Sequence, residues 1–383
     1  MVIDGKYAAG LGLGLGQGPQ VGRPTLAQRV HLDLPLVFAL LLTAGYGLLV
    51  LFSAVDQDPA RLEAQLLRLG LAFGVMVIVA QVPPHLWRRL AVPLYLTGVV
   101  MLVAVLVVVE MGKGAQRWLD LGLLRFQPSE FLKLGVPLML AWFLAQRPLP
   151  PGSWRTLVAI LLTAVPALLI ARQPDLGTAL LVGSAGVFVL FLAGLSWRLI
   201  ALLGITAAAL APVLWTNMLD YQKNRVLTLF DPESDPLGTG YHIIQSMIAI
   251  GSGGLYGKGW GEGTQSHLEF LPERSTDFIF AVLGEELGLF GILGLLGIYL
   301  FIIFRGLYIA SQCGDGFGRL LAGGLTLVFF VYVFVNTGMV AGLLPVVGVP
   351  LPLVSYGGTS MVTIMAGFGL IMAVHTHPGP SRR

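Results

Sequence analysis

The chain has 383 residues, of which 56% are hydrophobic and 11% charged, against roughly 25% charged in soluble domains. That composition excludes a soluble enzyme and places the chain in a membrane. The net charge of +3 without a basic tract argues against nucleic acid, and the single cysteine, Cys313, excludes an internal disulfide or a thiolate metal cluster.

Residues 1–28 carry the low-complexity run from Ala9 to Gly18 and read as a disordered leader or tag. They lack the compact apolar core and small-residue cleavage site of a signal peptide. The rest, 29–383, reads as a single polytopic membrane domain. Its spans are apolar all round, so the length of each apolar run is the signal rather than periodicity. Ten spans are predicted, at about 34–54, 66–83, 89–110, 128–146, 156–172, 176–194, 197–216, 277–304, 318–341 and 358–375. Several lie near the minimum of about 17 residues for crossing hydrocarbon. The fifth and sixth leave almost no loop and predict a tight antiparallel hairpin. The expected fold class is all-α integral membrane, about ten transmembrane helices with a large extracytoplasmic loop, 217–276, between spans 7 and 8.

Orientation follows the Lys and Arg of the short loops. With the N-terminus inside, the inner segments collect Lys6, Arg23, Arg29, Arg88, Arg89, Arg147, Arg155, Arg198, Arg305, Arg319, Arg382 and Arg383. The short outer segments hold Arg61, Arg68, Lys113, Arg117, Arg125 and Arg172. Both termini are therefore expected in the cytoplasm and the loop 217–276 outside.

Candidate chemistry gathers on the outer side. The loop 111–127 holds Lys113, Arg117, Trp118 and Arg125 and leads through Gln127 and Pro128 to Ser129, Glu130 and Lys133. Gln127 or Ser129 can cap the fourth span, with Pro128 in its first turn. Glu130 and Lys133, at i and i+3, share a helix face. They read either as an ion pair carrying two charges into the membrane boundary or as the polar wall of a cavity. The surrounding cations suit a phosphate or pyrophosphate group. Trp118 also reads as an interfacial anchor, and Asp175 as the N-cap of the sixth span.

The long loop ends in Leu-Pro-Glu-Arg-Ser-Thr-Asp-Phe-Ile-Phe (271–280), which sets Asp277 where the chain re-enters the membrane. Ionisable groups near bilayer depth commonly serve a pathway or a reaction. The structural alternative is that Ser275 or Thr276 caps the eighth span and Asp277 sits in its first turn, favoured by the helix dipole. A dipole lowers an acid's pKa and desolvation raises it, so a general base here needs burial to win. Glu285 is expected nearer the face of Asp277, with Glu286 pointing away. Segment 342–357 is apolar yet holds Pro345, Pro350 and Pro352, which forbid a regular helix. It reads as a re-entrant outer segment, because irregular backbone at membrane depth must be buried in protein or line a cavity. It runs into Ser-Tyr-Gly-Gly-Thr-Ser (355–360) at the start of the last span. That start either offers backbone N–H groups to an anion or is plainly capped by Thr359 or Ser360. No His pairing of the zinc type and no phosphate-binding loop motif is present.

Four stretches carry a resemblance: Lys-Gly-Ala-Gln-Arg-Trp-Leu-Asp-Leu-Gly (113–122), Arg-Phe-Gln-Pro-Ser-Glu (125–130), Leu-Pro-Glu-Arg-Ser-Thr-Asp-Phe-Ile-Phe-Ala-Val-Leu-Gly-Glu-Glu-Leu-Gly (271–288) and Pro-Leu-Val-Ser-Tyr-Gly-Gly-Thr-Ser (352–360). From about residue 30 onward the chain resembles the SEDS family (shape, elongation, division and sporulation). The runs 263–274 and 357–363 resemble its elongation branch more than its division branch. Ser275 departs from the pattern, since many relatives carry His there. The resemblance implies a peptidoglycan glycosyltransferase of the bacterial cytoplasmic (inner) membrane that polymerises lipid II, a disaccharide-pentapeptide on an undecaprenyl pyrophosphate carrier. It also implies a class B penicillin-binding protein as partner. The family's key acid carries over to Asp277, its polar cavity to Arg125, Gln127, Glu130 and Lys133, and its sensitive tryptophan to Trp118.

The implied chemistry inverts an anomeric carbon. Asp277 would take the proton of the acceptor hydroxyl, while Arg125 and Lys133 hold the departing pyrophosphate, joined by Arg117 or a divalent cation, Mg²⁺ or Mn²⁺. Two other classes fit ten spans with intramembrane charges: a lipid II flippase or other transporter, and a scaffold for the penicillin-binding protein. An alternating-access transporter needs polar groups reaching both faces, whereas the intramembrane acids here lie toward the outside.

Overall fold

The computed structural model describes residues 30–108, 119–120, 125–173, 175–218, 220–235, 238–267 and 273–377. All ten expected spans are helices: α1 (Leu34–Ala54), α2 (Pro59–Gln81), α3 (Pro84–Val108), α4 (Pro128–Leu144), α5 (Ser153–Arg172), α6 (Leu176–Leu192) and α7 (Trp197–Asn217), then α11 (Ile279–Gln312), α12 (Gly316–Val340) and α13 (Thr359–Thr376). Seven of them, α1, α2, α3, α5, α11, α12 and α13, are long and apolar enough to cross a membrane. The chain is thus a predominantly helical, multi-pass membrane protein. α4 and α6 have 17 residues each. A two-stranded antiparallel ribbon, β1 (Leu119–Asp120) and β2 (Arg125–Phe126), precedes α4 and pairs Asp120 with Arg125.

Local chemistry starts these helices. Asp33 and Asp58 accept from the amides of Leu36 (3.1 Å) and Ala60 (2.9 Å), each with Pro in the first turn. Asp175 accepts from Thr178 N at 3.1 Å, as expected of an N-cap. α5 and α6 pack on each other across the short 173–175 link. α12 is the central helix, packed against α11, α6, α4 and α13, with Tyr332 and Phe317 sealed in its core. Phe38, Leu67 and Ile78 point outward and are exposed. In a polytopic membrane protein that apolar exterior meets lipid chains rather than water.

The stretch 217–276, expected as a loop, is largely helical. It holds α8 (Asp220–Phe230), a 3₁₀ turn at Pro232–Ser234, α9 (Thr239–Gly253) and the four-residue α10 (Thr264–His267). α9 packs along α11. The run that follows it repairs a break in α11 at Gly288 (φ 63°, ψ −160°). Lys258 N and Gly259 N donate to Glu285 O (3.0 Å) and Glu286 O (3.1 Å), and Leu289 N and Phe290 N donate to Gly254 O (3.0 Å) and Leu255 O (3.2 Å). Backbone groups freed by the break are thereby satisfied.

The segment between α12 and α13 is irregular and buried at Val346, Val349, Leu351, Leu353 and Val354, as its prolines predict. Its polar backbone is met by side chains: Tyr299 OH donates to Pro352 O (2.7 Å), Gln65 Nε2 to Ser355 O (3.2 Å), and Leu351 N to Ser355 Oγ (2.8 Å).

Three capping expectations are corrected. α11 begins at Ile279 with Phe278 at the N-cap position and no side-chain cap. Thr276 turns its hydroxyl to Glu273 Oε2 (2.6 Å) instead, so Asp277 precedes the helix rather than occupying its first turn. α13 has Gly358 at its N-cap position and no capping side chain, so neither Thr359 nor Ser360 fills that role. Gln127 occupies the N-cap position of α4 with Pro128 next, but its amide is committed elsewhere and makes no cap bond.

Candidate active site

A polar cavity of about 270 Å³ lies where the starts of α4, α6, α11 and α13 converge with the irregular segment. Asp277 lines it together with Gln127, Glu130, Lys133, Asp175, Thr178 and the 356–360 run. Burial pushes the Asp277 carboxyl up to about 6; neighbouring Glu273 adds to the rise and Arg225 of α8 opposes it. Desolvation thus outweighs every other influence on this acid, the condition a carboxylate base requires.

Across the cavity, Lys133 Nζ donates to Glu130 Oε1 at 2.6 Å, with both side chains nearly sealed from solvent. The Lys133 ammonium also lies 5.1 Å from the ring centroid of Tyr332. Glu130 Oε2 has no partner among the described residues. The two sequence readings of this pair are both correct: it is an ion pair, and it walls the cavity. Gln127 Nε2 donates to Asp175 Oδ2 at 3.0 Å, so Asp175 caps α6 with one oxygen and fixes the start of α4 with the other.

Glu285, expected nearer the face of Asp277, is not among the residues lining the cavity. It is fully buried and accepts from Lys258 Nζ (2.6 Å), Thr264 Oγ1 (3.0 Å) and Gln265 N (3.0 Å), which pin the run after α9. Glu286 accepts from Ser53 of α1. Arg125 sits in β2, two residues before Gln127, and only its backbone is described. Lys113, Arg117 and Trp118 lie outside the described residues.

Sequence reasoning expects a lipid-linked donor to enter through an opening between spans but does not place it; the structure has a second chamber. An apolar cavity of about 590 Å³ lies among α2, α3, α4 and α13 and shares Gln127, Glu130, Gly358 and Thr359 with the polar one. Arg68 of α2 is the one cation among its lining residues. Its guanidinium stacks 4.4 Å from the ring centroid of Tyr356, and no carboxylate of the described residues pairs with it. The signal was present: α2 starts at Pro59, so Arg68 lies well inside a span and not in the loop to which its charge was assigned.

Comparisons with known proteins agree with this architecture. The FtsW/RodA/SpoVE family of cell cycle proteins matches residues 33–379. The peptidoglycan glycosyltransferase MrdB of Escherichia coli K12 is 56% identical over 356 residues, covering 93% of this chain and 96% of that protein. A chain from a solved peptidoglycan synthase complex, in which polymerisation and crosslinking are coordinated, superposes with a TM-score of 0.77 at 38% identity over 90% of this chain and 97% of that one. The rod-shape-determining protein RodA of Thermus thermophilus superposes with a TM-score of 0.68 at 34% identity over 90% of this chain and 96% of that one.

Proposed function

The chain belongs to the FtsW/RodA/SpoVE family, and from that premise we propose that it is a peptidoglycan glycosyltransferase of cell elongation that polymerises lipid II with Asp277 as general base. One observation carries the reading: a carboxyl raised by burial faces a polar cavity that shares four wall residues with an apolar chamber. The acceptor sugar hydroxyl gives its proton to Asp277 and attacks the anomeric carbon of the donor, which inverts as the bond to pyrophosphate breaks. A pyrophosphate leaving group needs no acid on that side, since cations stabilise its charge. A single carboxylate is then sufficient.

The cations need reassignment. Lys133 is tied to Glu130, so its charge is largely spent within the pair. In this reading Arg68, at the junction of the two chambers, takes the phosphate of the lipid-linked sugar, with Arg125, Arg117 and Lys113 as further candidates and Trp118 beside them. Gln127 and Glu130 order the polar wall. The apolar chamber seats the start of the carrier chain, which makes α2, α3, α4 and α13 the helices of lipid entry. Among the described residues no three His, Cys, Asp or Glu side chains form a metal site. A Mg²⁺ or Mn²⁺ ion bound with the substrate phosphates would add positive charge at the leaving group. The topology of this reading has ten spans, both termini in the cytoplasm, and the 217–276 region and cavity outside. A class B penicillin-binding protein is its partner.

Purified protein and lipid II test the proposal. Glycan strands are expected from the wild type, and Asp277→Asn is expected to lower the rate by about 10²–10⁴-fold, the usual worth of a general base, with folding retained. Translocation of lipid II in vesicles without polymer would make the chain a transporter; partner binding alone would make it a scaffold.

A further inference from the structure

Asp277 precedes α11, in a turn in which Thr276 N and Phe278 N, on either side of it, donate to Glu273 O (3.1 and 3.2 Å). That turn is also held from outside. Three consecutive carbonyls of this run each accept from a residue far away in sequence. Ser275 O accepts from Tyr356 N (2.8 Å), Thr276 O from Ser355 Oγ (2.6 Å) and Asp277 O from Asn336 Nδ2 (2.9 Å). Asn336 differs from the other two. It comes from the central helix α12, is fully buried, and uses the same amide nitrogen for a second bond, to Val349 O at 2.8 Å. A side-chain amide has two N–H donors, and both are spent here. One holds the backbone of the acid and the other holds the wall opposite. That wall comes close: a Cβ on Gly348 would lie 3.4 Å from Asp277 Oδ2.

We propose that Asn336 is a positioning residue for the transfer reaction, fixing the backbone of Asp277 relative to the 348–350 wall of the cavity that its carboxylate faces. The inference rests on the general-base reading of Asp277. Asn336 touches no reacting atom. It sets the reach of the carboxylate toward the acceptor hydroxyl, and a misplacement on the order of 1 Å costs about 100-fold in rate. A donor at this position is what the two carbonyls require. Leu is near in size and donates nothing; Ser is smaller and keeps one donor.

The test combines kinetics with a reading of position that needs no turnover. With lipid II, Asn336→Leu is expected to lower kcat by about 10- to 100-fold at an unchanged KM, with Asn336→Ser in between. In a Cys313→Ala background, Asp277→Cys is expected to react with a methanethiosulfonate reagent at a different rate once Asn336 is replaced. Thr178→Cys, on α6 in the wall of the same cavity, should react at its original rate. Unchanged kcat in Asn336→Leu overturns the proposal. So does a Thr178→Cys rate that moves in parallel with that at 277, since that reports general loosening. If Asn336→Leu does not accumulate, Asn336→Ser decides on the same criteria, and full turnover in it overturns the proposal. Should the wild type form no glycan, the enzyme reading fails by itself and the labelling rates still decide whether Asn336 sets residue 277.

Discussion

Asp277 and Glu130 are both acids on one cavity, and their neighbours give them different work. Glu130 is held by an ammonium 2.6 Å away. Asp277 has burial and the nearby anion Glu273 raising its carboxyl to about 6, against a smaller pull from Arg225. A base works in its ionised form, so turnover should rise as pH climbs through about 6 and fall away below it. Initial rates of polymerisation against pH check this. Glu273→Gln removes the neighbouring anion and should move the acidic limb to lower pH. A limb that survives in the residual activity of Asp277→Asn assigns the titration to another group. The Glu130–Lys133 pair makes a separate prediction, about stability. Removing one partner leaves the other charge buried and uncompensated, at a cost of about 3–5 kcal/mol, whereas an apolar replacement of both is often close to neutral. Glu130→Gln and Lys133→Met should each lower the unfolding temperature in detergent, and Glu130→Leu with Lys133→Met should recover most of the loss. Failure of the double variant to recover would mean the charges are satisfied by something beyond each other.

At the scale of elements, the ten helices were legible from their apolar runs, and seven of them are long enough to have few alternatives in a bilayer. The Asp175 cap and the irregular 342–357 segment were legible for similar reasons, since cap chemistry and proline geometry are local. α8 and α9 were not. Their stretch is more polar, and α9 is stabilised by packing on α11, a partner that no local pattern announces. The repair of α11 was equally hidden. Gly-Leu-Tyr-Gly-Lys-Gly (254–259) has no strand or helix pattern, yet Gly254, Leu255, Lys258 and Gly259 form a backbone ladder with residues 285–290. Gly257 (φ 80°) meets α11 so closely that a Cβ would lie 2.0 Å from Glu286 O. Backbone atoms cannot step aside as a side-chain tip can. Gly257→Ala should therefore cost about 2–4 kcal/mol from strain and displacement together. Gly294, inside α11 with nothing within 4 Å of its Cβ position, is the control: Gly294→Ala should be neutral or stabilising by up to about 1 kcal/mol. Thermal unfolding of the two variants side by side checks the contrast.

For the whole molecule, the informative property is that two chambers of opposite character meet at four shared residues, Gln127, Glu130, Gly358 and Thr359. Composition announces a membrane protein but says nothing of where helices part, because the outward and inward faces of a span are equally apolar. The meeting point suits a substrate that is itself divided, with a hydrocarbon chain on one side of a phosphate and a sugar on the other. Arg68 marks the boundary between them. If the apolar chamber seats the carrier chain, filling it should weaken binding of long-chain substrate more than it slows chemistry. Ala366 of α13 lines that chamber, away from the residues shared with the polar one. Ala366→Trp should raise KM for undecaprenyl-linked lipid II with a smaller effect on kcat. It should handicap a short-chain analogue much less, because fewer methylenes, each worth about 0.8 kcal/mol when buried, are denied a seat. Steady-state kinetics with the two substrates decide the matter. An equal rise in KM for both would place the carrier chain elsewhere on the surface and leave the apolar chamber without a part in delivery.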